Sequence, residues 1–177
     1  TLILNCPPDK SGHLPTATVK RLKEFGNLCN SRFATDLAKT ATIEVSETRQ
    51  PGANRNYSAT NLVDGDKETY WATNDATTSA TITFNWTEPQ TVRYLLMQEY
   101  IRLGQRIKDW KVEYTSDGTS WLPLAPGIQT TTVGYKRILP LNGSTSASYG
   151  DGYQARSLRI TINDSRACPL ISNISIF

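Results

Sequence analysis

The side chains best suited to chemistry lie in one short acidic turn, Asp64-Gly65-Asp66, which Thr69 follows three residues later. Two carboxylates and a hydroxyl crowded on one turn are oxygen ligands of the kind that calcium takes. The same carboxylates could instead accept hydrogen bonds from the backbone N–H groups of the turn. Trp71 follows as a large apolar anchor. The pattern therefore predicts either a calcium site or a turn that caps itself.

Other catalytic chemistry finds little support in the residue types. His13 is the only histidine, so a Ser-His-Asp arrangement would have to use it. It lies in a turn between Gly12 and Pro15 with no evident partner, which favours a bystander role. No CxxC pair is present for zinc, and the glycines form no phosphate-binding pattern. We therefore expect no catalytic residue in this chain.

Three cysteines, Cys6, Cys29 and Cys168, leave at least one thiol unpaired within the chain. Cys6 and Cys29 both lie in the amino-terminal segment, and they could form a disulfide if their Cα atoms approach within roughly 4.4–6.8 Å. The alternative is three buried free thiols, which behave as small apolar side chains.

Five N-x-Ser/Thr sequons predict a secreted glycoprotein, because each is a glycan acceptor if exposed in the secretory lumen. Their acceptor residues are Asn56, Asn85, Asn142, Asn163 and Asn173. The chain opens without a start methionine or signal peptide, as expected of a mature or excised piece. The net charge is only +3 and the basic residues are scattered, which disfavours nucleic-acid binding. No apolar run has the length of a membrane span.

The apolar periodicity changes near residue 35. Residues 2–4 form a short apolar run, and apolar side chains between 19 and 33 then recur at helical spacing after Pro15. One strand and one amphipathic helix cannot bury themselves, so residues 1–35 are expected to belong to a larger α/β body.

Beyond residue 40 the apolar side chains alternate with polar ones, which is typical of strands that bury one face. The clearest runs are 81–86, 110–114, 158–162 and 174–176. Residues 94–97 are apolar on both faces and predict a central strand. Many short strands separated by Asp-Gly, Asn-Gly and Pro-Gly turns predict an all-β sandwich or barrel over residues 36–177.

Residues 61–73, NLVDGDKETYWAT, resemble the discoidin-like family, which includes the C domains of coagulation factors V and VIII and carbohydrate-binding module family 32. The resemblance implies a galactose-binding-like β-sandwich, or jelly roll, with a structural calcium at the acidic turn. The last strand of the family commonly supplies an acidic ligand, where this chain has Asn173. The implied ligand set is therefore Asp64, Asp66, Thr69 and Asn173, although a glycan on Asn173 would exclude a metal.

Other segments resemble the carboxy-terminal part of glycoside hydrolase family 29 α-L-fucosidases. They are 2–12 (LILNCPPDKSG), 20–26 (KRLKEFG), 98–107 (QEYIRLGQRI), 134–138 (GYKRI) and 164–169 (DSRACP). The resemblance implies that residues 1–35 are the last strand and helix of a (β/α)8 catalytic barrel. Retaining glycosidases need two carboxyl groups about 5–5.5 Å apart. In this family both come from earlier barrel segments, so the chain alone is expected to be inactive.

Three functions follow from the resemblance. The sandwich could be a carbohydrate-binding or auxiliary domain of a secreted fucosidase-like glycosidase, one fragment of a nicked fucosidase that acts only with its catalytic half, or a stand-alone lectin-like protein. A protein- or membrane-surface domain ranks last, because no apolar loop tip stands out in the sequence.

Family 32 modules bind sugars at the loops of one end of the sandwich, through an aromatic face and charged hydrogen-bonding groups. The matching candidates for galactosyl or fucosyl glycans are Tyr100, Arg102 and Arg106 on one loop, and Tyr135, Lys136 and Arg137 on another. Tyr57 and Tyr70 are weaker candidates. These loops could instead pack against the catalytic barrel, with Arg106 or Arg137 pairing with Glu99.

Overall fold

The polypeptide divides where its apolar period changes. The computed structural model describes residues 4–142 and 152–177, and it separates the chain into two compact units, Thr1–Thr35 and Asp36–Phe177. The first unit contains helix α1, Thr16–Arg32, with Pro15 as its N-cap and no buried residue. The predicted strand at residues 2–4 lies largely outside the described residues, since these begin at Leu4. The predicted helix is confirmed.

The second unit consists of antiparallel strands, which confirms the all-β prediction. Nine strands lie within the described residues: β1 Thr42–Val45, β2 Trp71–Ala72, β3 Ala80–Val92, β4 Tyr94–Glu99, β5 Ile107–Thr115, β6 Leu122–Pro123, β7 Arg137–Pro140, β8 Tyr153–Ser165 and β9 Leu170–Ile176. They form a five-stranded sheet in the order β1-β3-β8-β5-β6 and a four-stranded sheet in the order β2-β9-β4-β7. The interior place of β4 agrees with its apolar sequence. Short 3-10 helices occupy Leu37–Thr40, Ala59–Leu62 and Ile101–Leu103.

The core forms where the alternating faces of the two sheets meet. On β3, Ile82 and Phe84 are fully buried and pair with Ile160 and Leu158 of β8. From the opposite sheet, Leu95 and other fully buried side chains complete the same cluster. Each buried side chain of this size contributes about 1.5–3 kcal/mol relative to an exposed one, so the two-residue period sets the register of the sandwich.

Three tryptophans lie in this core, and two of them also connect separate segments through hydrogen bonds. Trp71 Nε1 donates to the carbonyl of Glu47 at 3.1 Å, and Trp86 Nε1 donates to the carbonyl of Leu37 at 2.9 Å. Trp110 is 1% exposed. Burying a ring while satisfying its N–H combines apolar burial with a directional bond, which fixes where the segments before β1 and β2 run.

Asp36 joins the start of the sandwich to its last strand. Its Oδ1 accepts from the backbone N–H of Ala38 at 3.1 Å, which caps the 3-10 helix, and from that of Ile176 at 3.0 Å. Capping bonds of this kind contribute about 1 kcal/mol each. The carboxylate therefore connects residues that are 140 positions apart.

Strand direction decides which loops share one end of the molecule. Because β9 and β7 run antiparallel to β4, both begin near the end where β4 finishes. Glu99, the last residue of β4, pairs with Ile171, which also pairs with Trp71 of β2. The loop after β4 and the loop before β7 therefore meet at this end. The Arg102–Glu68 ion pair brings the segment that follows the acidic turn to the same place.

Candidate functional site

Glu99 holds together the two loops that were predicted to carry the site. Its Oε1 accepts from the backbone N–H groups of Arg106 at 2.7 Å and Ile107 at 2.8 Å, and its Oε2 accepts from that of Gly134 at 2.6 Å. The residue is 3% exposed. The alternative pairing of Glu99 with a guanidinium of Arg106 or Arg137 is wrong, because both guanidinium groups donate to backbone carbonyls elsewhere. Glu99 therefore positions loop 100–106 against loop 129–136.

A hollow of about 230 Å³ opens beside Glu99, and we call it the first hollow. It brings together three of the predicted residues, Tyr100, Arg102 and Tyr135. Arg102 forms an ion pair with Glu68 at the rim, and the Tyr135 side chain is 54% exposed. The complete lining is Lys67, Glu68, Gln98, Glu99, Tyr100, Ile101, Arg102, Tyr135 and Ser172.

The floor of the first hollow is polar and ordered. Gln98 Nε2 donates to the carbonyl of Tyr135 at 3.2 Å, and Ser172 Oγ donates to the carbonyl of Gln98 at 3.3 Å. Both side chains are buried. The hollow thus combines an exposed aromatic ring, charged donors and acceptors at its rim, and a floor held in place by hydrogen bonds. Its lining is more polar than that of most small-molecule sites, and polar groups of this kind fix the orientation of a ligand.

A second hollow lies on the other side of the 3-10 helix Ile101–Leu103, and it also measures about 230 Å³. Arg49 donates to both carboxylate oxygens of Asp75 there, with Nη2 2.9 Å from Oδ2. This bond from Arg49 is the main reason why the pKa of Asp75 lies below its usual value. The lining is Arg49, Tyr57, Tyr70, Asp75, Leu103, Arg106, Cys168 and Leu170.

Three tyrosine rings in contact with one another form the wall between the two hollows. The ring centroids of Tyr57 and Tyr70 are 5.3 Å apart, and those of Tyr70 and Tyr100 are 4.3 Å apart. The guanidinium of Arg49 lies 5.5 Å from the Tyr57 centroid, and that of Arg55 lies 5.3 Å from the Tyr70 centroid. These ring faces are already in contact with other groups, so Tyr100 and Tyr70 act mainly as core residues of the wall.

The other three predicted residues lie outside the first hollow. Arg106 reaches into the second hollow, where its Nη1 lies 2.9 Å from both the carbonyl oxygen and Sγ of Cys168. Arg137 donates to the carbonyls of Thr132 at 2.8 Å and Gln129 at 2.5 Å, so it stabilises loop 129–136. Lys136 is exposed and lines neither hollow.

Sequence reasoning missed several lining residues of both hollows. Lys67 and Glu68 belong to the acidic-turn motif, which could have drawn attention to them as rim residues. Arg49 and Asp75 are 26 positions apart and carry no shared motif. The two segments meet where the backbone N–H of Arg49 donates to the carbonyl of Ala72, at the end of β2, at 2.8 Å.

The carboxylates of the acidic turn accept hydrogen bonds from within the turn, which is one of the two alternatives predicted from the sequence. Asp64 Oδ1 accepts from the N–H of Asp66 at 2.8 Å, and its Oδ2 accepts from the hydroxyl of Thr69 at 2.6 Å. Asn173 donates through Nδ2 to Ser175 Oγ at 3.1 Å. Residues 4–142 and 152–177 contain no group of three His, Cys, Asp or Glu side chains suited to a metal. Calcium would have to replace the internal hydrogen bonds of the turn, and its binding stays a prediction.

The cysteines and the histidine differ from expectation. Cys6, Cys29 and Cys168 are all free, so the Cys6–Cys29 bridge is absent, and only Cys168 is buried. Cys29 lies within α1 and Cys6 in the irregular segment before it. His13 does have a partner: its Nδ1 lies 3.1 Å from Ser11 Oγ, which donates to Asp9 at 2.6 Å. The serine lies between the other two groups, so this order does not form a catalytic triad.

The sequons differ in exposure. Asn56 and Asn163 are exposed, whereas Asn85, Asn142 and Asn173 are half-buried. Ser144, the third position of the Asn142 sequon, lies outside the described residues. None of the helices among the described residues is both long enough and apolar enough to cross a bilayer.

Comparison with known proteins bears out the predicted resemblances. α-L-Fucosidase 1 of Arabidopsis thaliana is 27% identical over 176 residues, which cover 99% of this chain and 32% of the plant protein. The chain thus spans about a third of the length of the curated relatives it matches.

Solved structures show the same similarity to fucosidases. A glycoside hydrolase family 29 fucosidase of Ruminococcus gnavus, solved in complex with fucose, is 33% identical with a TM-score of 0.82, over 100% of this chain and 33% of its own. Chitosan-binding module 1 of a Paenibacillus chitosanase/glucanase has a TM-score of 0.60 at 18% identity, over 81% of this chain and 98% of its own. At that identity the likeness shows the fold alone.

A family model described as the F5/8 type C domain matches residues 42–174, from β1 into β9. The match covers both sheets and both hollows, and it excludes helix α1. It agrees with the two-sheet topology and with the resemblance of the acidic-turn motif. The chain therefore belongs to the F5/8 type C domain family.

Proposed function

We propose that the sandwich binds glycans at the first hollow, as the auxiliary domain of a fucosidase-like glycosidase, and that it has no catalytic activity by itself. The observation that carries this proposal is the exposed ring of Tyr135 beside the Arg102–Glu68 ion pair, above the hydrogen-bonded floor. An aromatic face stacks on the C–H groups of a sugar ring, while charged side chains exchange hydrogen bonds with its hydroxyls.

The size of the first hollow sets the expected ligand and affinity. Its volume of about 230 Å³ is below the roughly 300–1,000 Å³ of sites for drug-sized ligands, so it suits a single sugar ring. The rim is open to solvent, since the Arg102 and Glu68 side chains are 66% and 56% exposed. We therefore expect weak binding, with dissociation constants approaching about 1 mM, equivalent to about 4 kcal/mol.

Galactosyl and fucosyl glycans are the proposed ligands. Ile101 supplies an apolar contact in the lining, which suits the methyl group of a 6-deoxy sugar such as fucose. The similarity to fucosidases, one of them solved with fucose, supports the same class.

Calorimetric titration of the chain with fucosyl and galactosyl oligosaccharides tests this function. Tyr135→Ala should weaken binding at least tenfold, whereas Tyr135→Phe, which keeps the ring, should bind like the wild type. A wild-type chain that binds no galactosyl or fucosyl glycan would refute the proposal.

A second candidate is an interface with the catalytic part of a longer or nicked fucosidase. Contrary to expectation, apolar side chains are exposed on the loops of this end: Ile101 is 38% exposed and Leu103 is 51% exposed. Apolar tips of this kind are typical of protein contacts. In this case the chain should co-purify with a separately expressed catalytic half, and Leu103→Asp should abolish that association.

Activity assays on p-nitrophenyl fucoside compare the chain alone with the chain in the presence of a catalytic half. The chain alone should show no turnover, because both carboxylates that line the first hollow are engaged, Glu99 by backbone N–H groups and Glu68 by Arg102. Turnover by the purified chain would overturn the claim that it is non-catalytic. If the catalytic half is more active with this chain than without it, the result would favour the nicked-enzyme alternative over the stand-alone lectin-like one.

We also propose that the protein is a secreted glycoprotein, with glycans on Asn56 and Asn163. Both residues are exposed. Asn163 Nδ2, the atom that would carry the glycan, donates to Asp109 at 3.0 Å, and it keeps one N–H after glycosylation. Expression in a eukaryotic secretory host should give a mass that falls on enzymatic removal of N-glycans. An unchanged mass would refute the use of these sequons.

A structural calcium at the acidic turn is the remaining proposal. Asp64, Asp66 and Thr69 would supply its oxygen ligands, with Asn173 as the fourth residue implied by the family resemblance. Hydrogen bonds inside the turn hold the side chains of Asp64 and Thr69 together and join both to the backbone of Asp66, which supports their use as a ligand group.

A further inference from the structure

We infer that the second hollow binds an anionic group, a carboxylate or a sulfate, carried by the same saccharide whose neutral part occupies the first hollow. This inference rests on the proposed glycan binding and specifies its ligand as an acidic glycan. It uses Arg49, Asp75 and Arg106, two of which the sequence did not single out.

Hydrogen-bond donors outnumber acceptors in the second hollow. A guanidinium has five N–H donors and no acceptor. Arg49 contacts the two oxygens of Asp75, and Arg106 contacts the carbonyls of Cys168 and Leu103 and the sulfur of Cys168. N–H groups therefore remain on both guanidinium groups, while the carboxylate of the lining is already engaged. A ligand that brings acceptor oxygens complements this arrangement.

The charge of the second hollow is also unbalanced. Arg49 and Arg106 contribute two positive charges, and Asp75 contributes one negative charge. The bond from Arg49, and in addition the charge of Arg106, lower the pKa of Asp75, so its carboxylate stays ionised at neutral pH and pairs with Arg49. Arg106 contacts neutral acceptors, and none of the ion pairs among the described residues includes it. One positive charge is left for a ligand.

The surroundings of Arg106 strengthen its attraction for an anion. The side chain is half-buried, and Leu103, Leu170 and the tyrosine wall contribute apolar surface to the same lining. Charges interact more strongly where apolar groups replace water. Guanidinium groups also match the planar spacing of carboxylate and sulfate oxygens better than an ammonium does.

The two hollows are close enough to share one saccharide. Ile101 and Arg102 line the first and Leu103 lines the second, so a single turn of 3-10 helix separates them. Tyr100 lines the first and Tyr70 the second, with their ring centroids 4.3 Å apart. A neutral sugar and an acidic substituent, on the same ring or the next, can therefore occupy both.

Calorimetry at 20 mM and 500 mM salt with galactose, galacturonate and galactose 6-sulfate tests the inference. At low salt the two anionic sugars should bind about tenfold more tightly than galactose, equivalent to about 1.4 kcal/mol. That advantage should shrink at high salt, where the Debye length falls to a few ångströms. Comparison of galacturonate with the sulfate shows which of the two anions fits.

Two variants are expected to change the binding advantage of the anionic sugars in opposite directions, which makes the test specific. Arg106→Gln should remove the advantage of the anionic sugars, and Asp75→Asn, at a residue whose side chain is 78% exposed, should increase it severalfold. Arg159→Gln, which removes a cation paired with Glu113 on the other sheet, should leave the advantage unchanged.

The outcomes distinguish this inference from the proposed function. Equal binding of all three sugars, or an advantage that survives Arg106→Gln and is unaffected by Asp75→Asn, overturns the anionic subsite and leaves glycan binding intact. Failure of the wild type to bind any of the three sugars or other glycans refutes both.

Discussion

Replacing Glu99 by glutamine tests whether one buried carboxylate assembles the site. The amide oxygen can still accept from the N–H groups of Arg106 and Ile107, but the amide NH2 then faces the N–H of Gly134. The bond to Gly134 is lost, and its buried donor faces another donor. The two remaining bonds change from charged to neutral acceptors. Loop 129–136, which carries Tyr135, should therefore separate from loop 100–106.

The loss of stability in Glu99→Gln follows from the three hydrogen bonds that the Glu99 carboxylate accepts. A hydrogen bond to a charged group contributes about 1.5–3 kcal/mol and one to a neutral group about 0.5–1.5 kcal/mol, so the substitution should lower the free energy of unfolding by roughly 3–5 kcal/mol. For a chain of this size the melting temperature should fall by about 2–4 °C per kcal/mol, or roughly 10 °C in total. Domain stabilities of about 5–15 kcal/mol leave a folded protein at room temperature.

Thermal and denaturant unfolding measure the stability, and calorimetry at 15 °C measures glycan binding to the still-folded variant. Glu99→Gln should lose both stability and at least tenfold in affinity. Glu88→Gln makes the same chemical change at an exposed residue of β3 and should change neither. A Glu99→Gln protein whose stability lies within about 0.5 kcal/mol of wild type, the range of ordinary surface substitutions, would refute the reasoning.

Three further predictions concern turns. Gly152→Ala should lower the free energy of unfolding in urea more than Gly118→Ala does. Both glycines have positive φ, at +79° and +83°. A Cβ on Gly152 would lie 2.8 Å from a backbone carbonyl of β3, whereas a Cβ on Gly118 would meet nothing within 4 Å. Equal losses would contradict this steric account. Calcium at about 100 times its dissociation constant should stabilise the wild type by about 2.7 kcal/mol over EDTA-treated protein. Asp64→Asn should abolish that gain and Asp117→Asn should not; a wild type indifferent to calcium would exclude the site. N–H groups of Ser120 and its neighbour hold the pKa of Asp117 well below its usual 3.8, so its contribution to stability is present above pH 3.8 and is lost as pH falls below it. Asp117→Asn should flatten the loss of stability below pH 4 in acid unfolding curves, and an unchanged slope would count against this role.

Local sequence was sufficient to predict the sheets and the core. The alternation at 81–86 and 158–162 became β3 and β8, with Ile82 opposite Ile160, because each side chain along a strand must face either the core or water. The acidic turn was equally readable, since Asp64, Asp66 and Thr69 contact one another within six residues. The family resemblance also rested on residues that are continuous in the chain.

The loops at the candidate site could be named but not assembled from sequence. One hollow is lined by three of the predicted residues, Tyr100, Arg102 and Tyr135. Arg137 instead donates to the carbonyl of Thr132 in the loop that precedes it. The direction of a flexible side chain depends on which acceptors surround it. For Arg137 those acceptors are carbonyls of a loop whose conformation no short motif specifies.

By itself, then, the sequence determined an all-β sandwich or barrel, the strands that bury one face, the acidic turn and the resemblance to a family, because these depend on neighbours a few positions apart. Tertiary structure alone decided that Glu99 binds backbone N–H groups instead of arginines, and that Arg49, Asp75 and Arg106 share one hollow. Arg49 and Asp75 are 26 positions apart, and Glu99 and Gly134 are 35 positions apart. Such groups meet because strand pairing, together with backbone bonds such as that from Arg49 to Ala72, brings the ends of different strands to the same edge of the molecule.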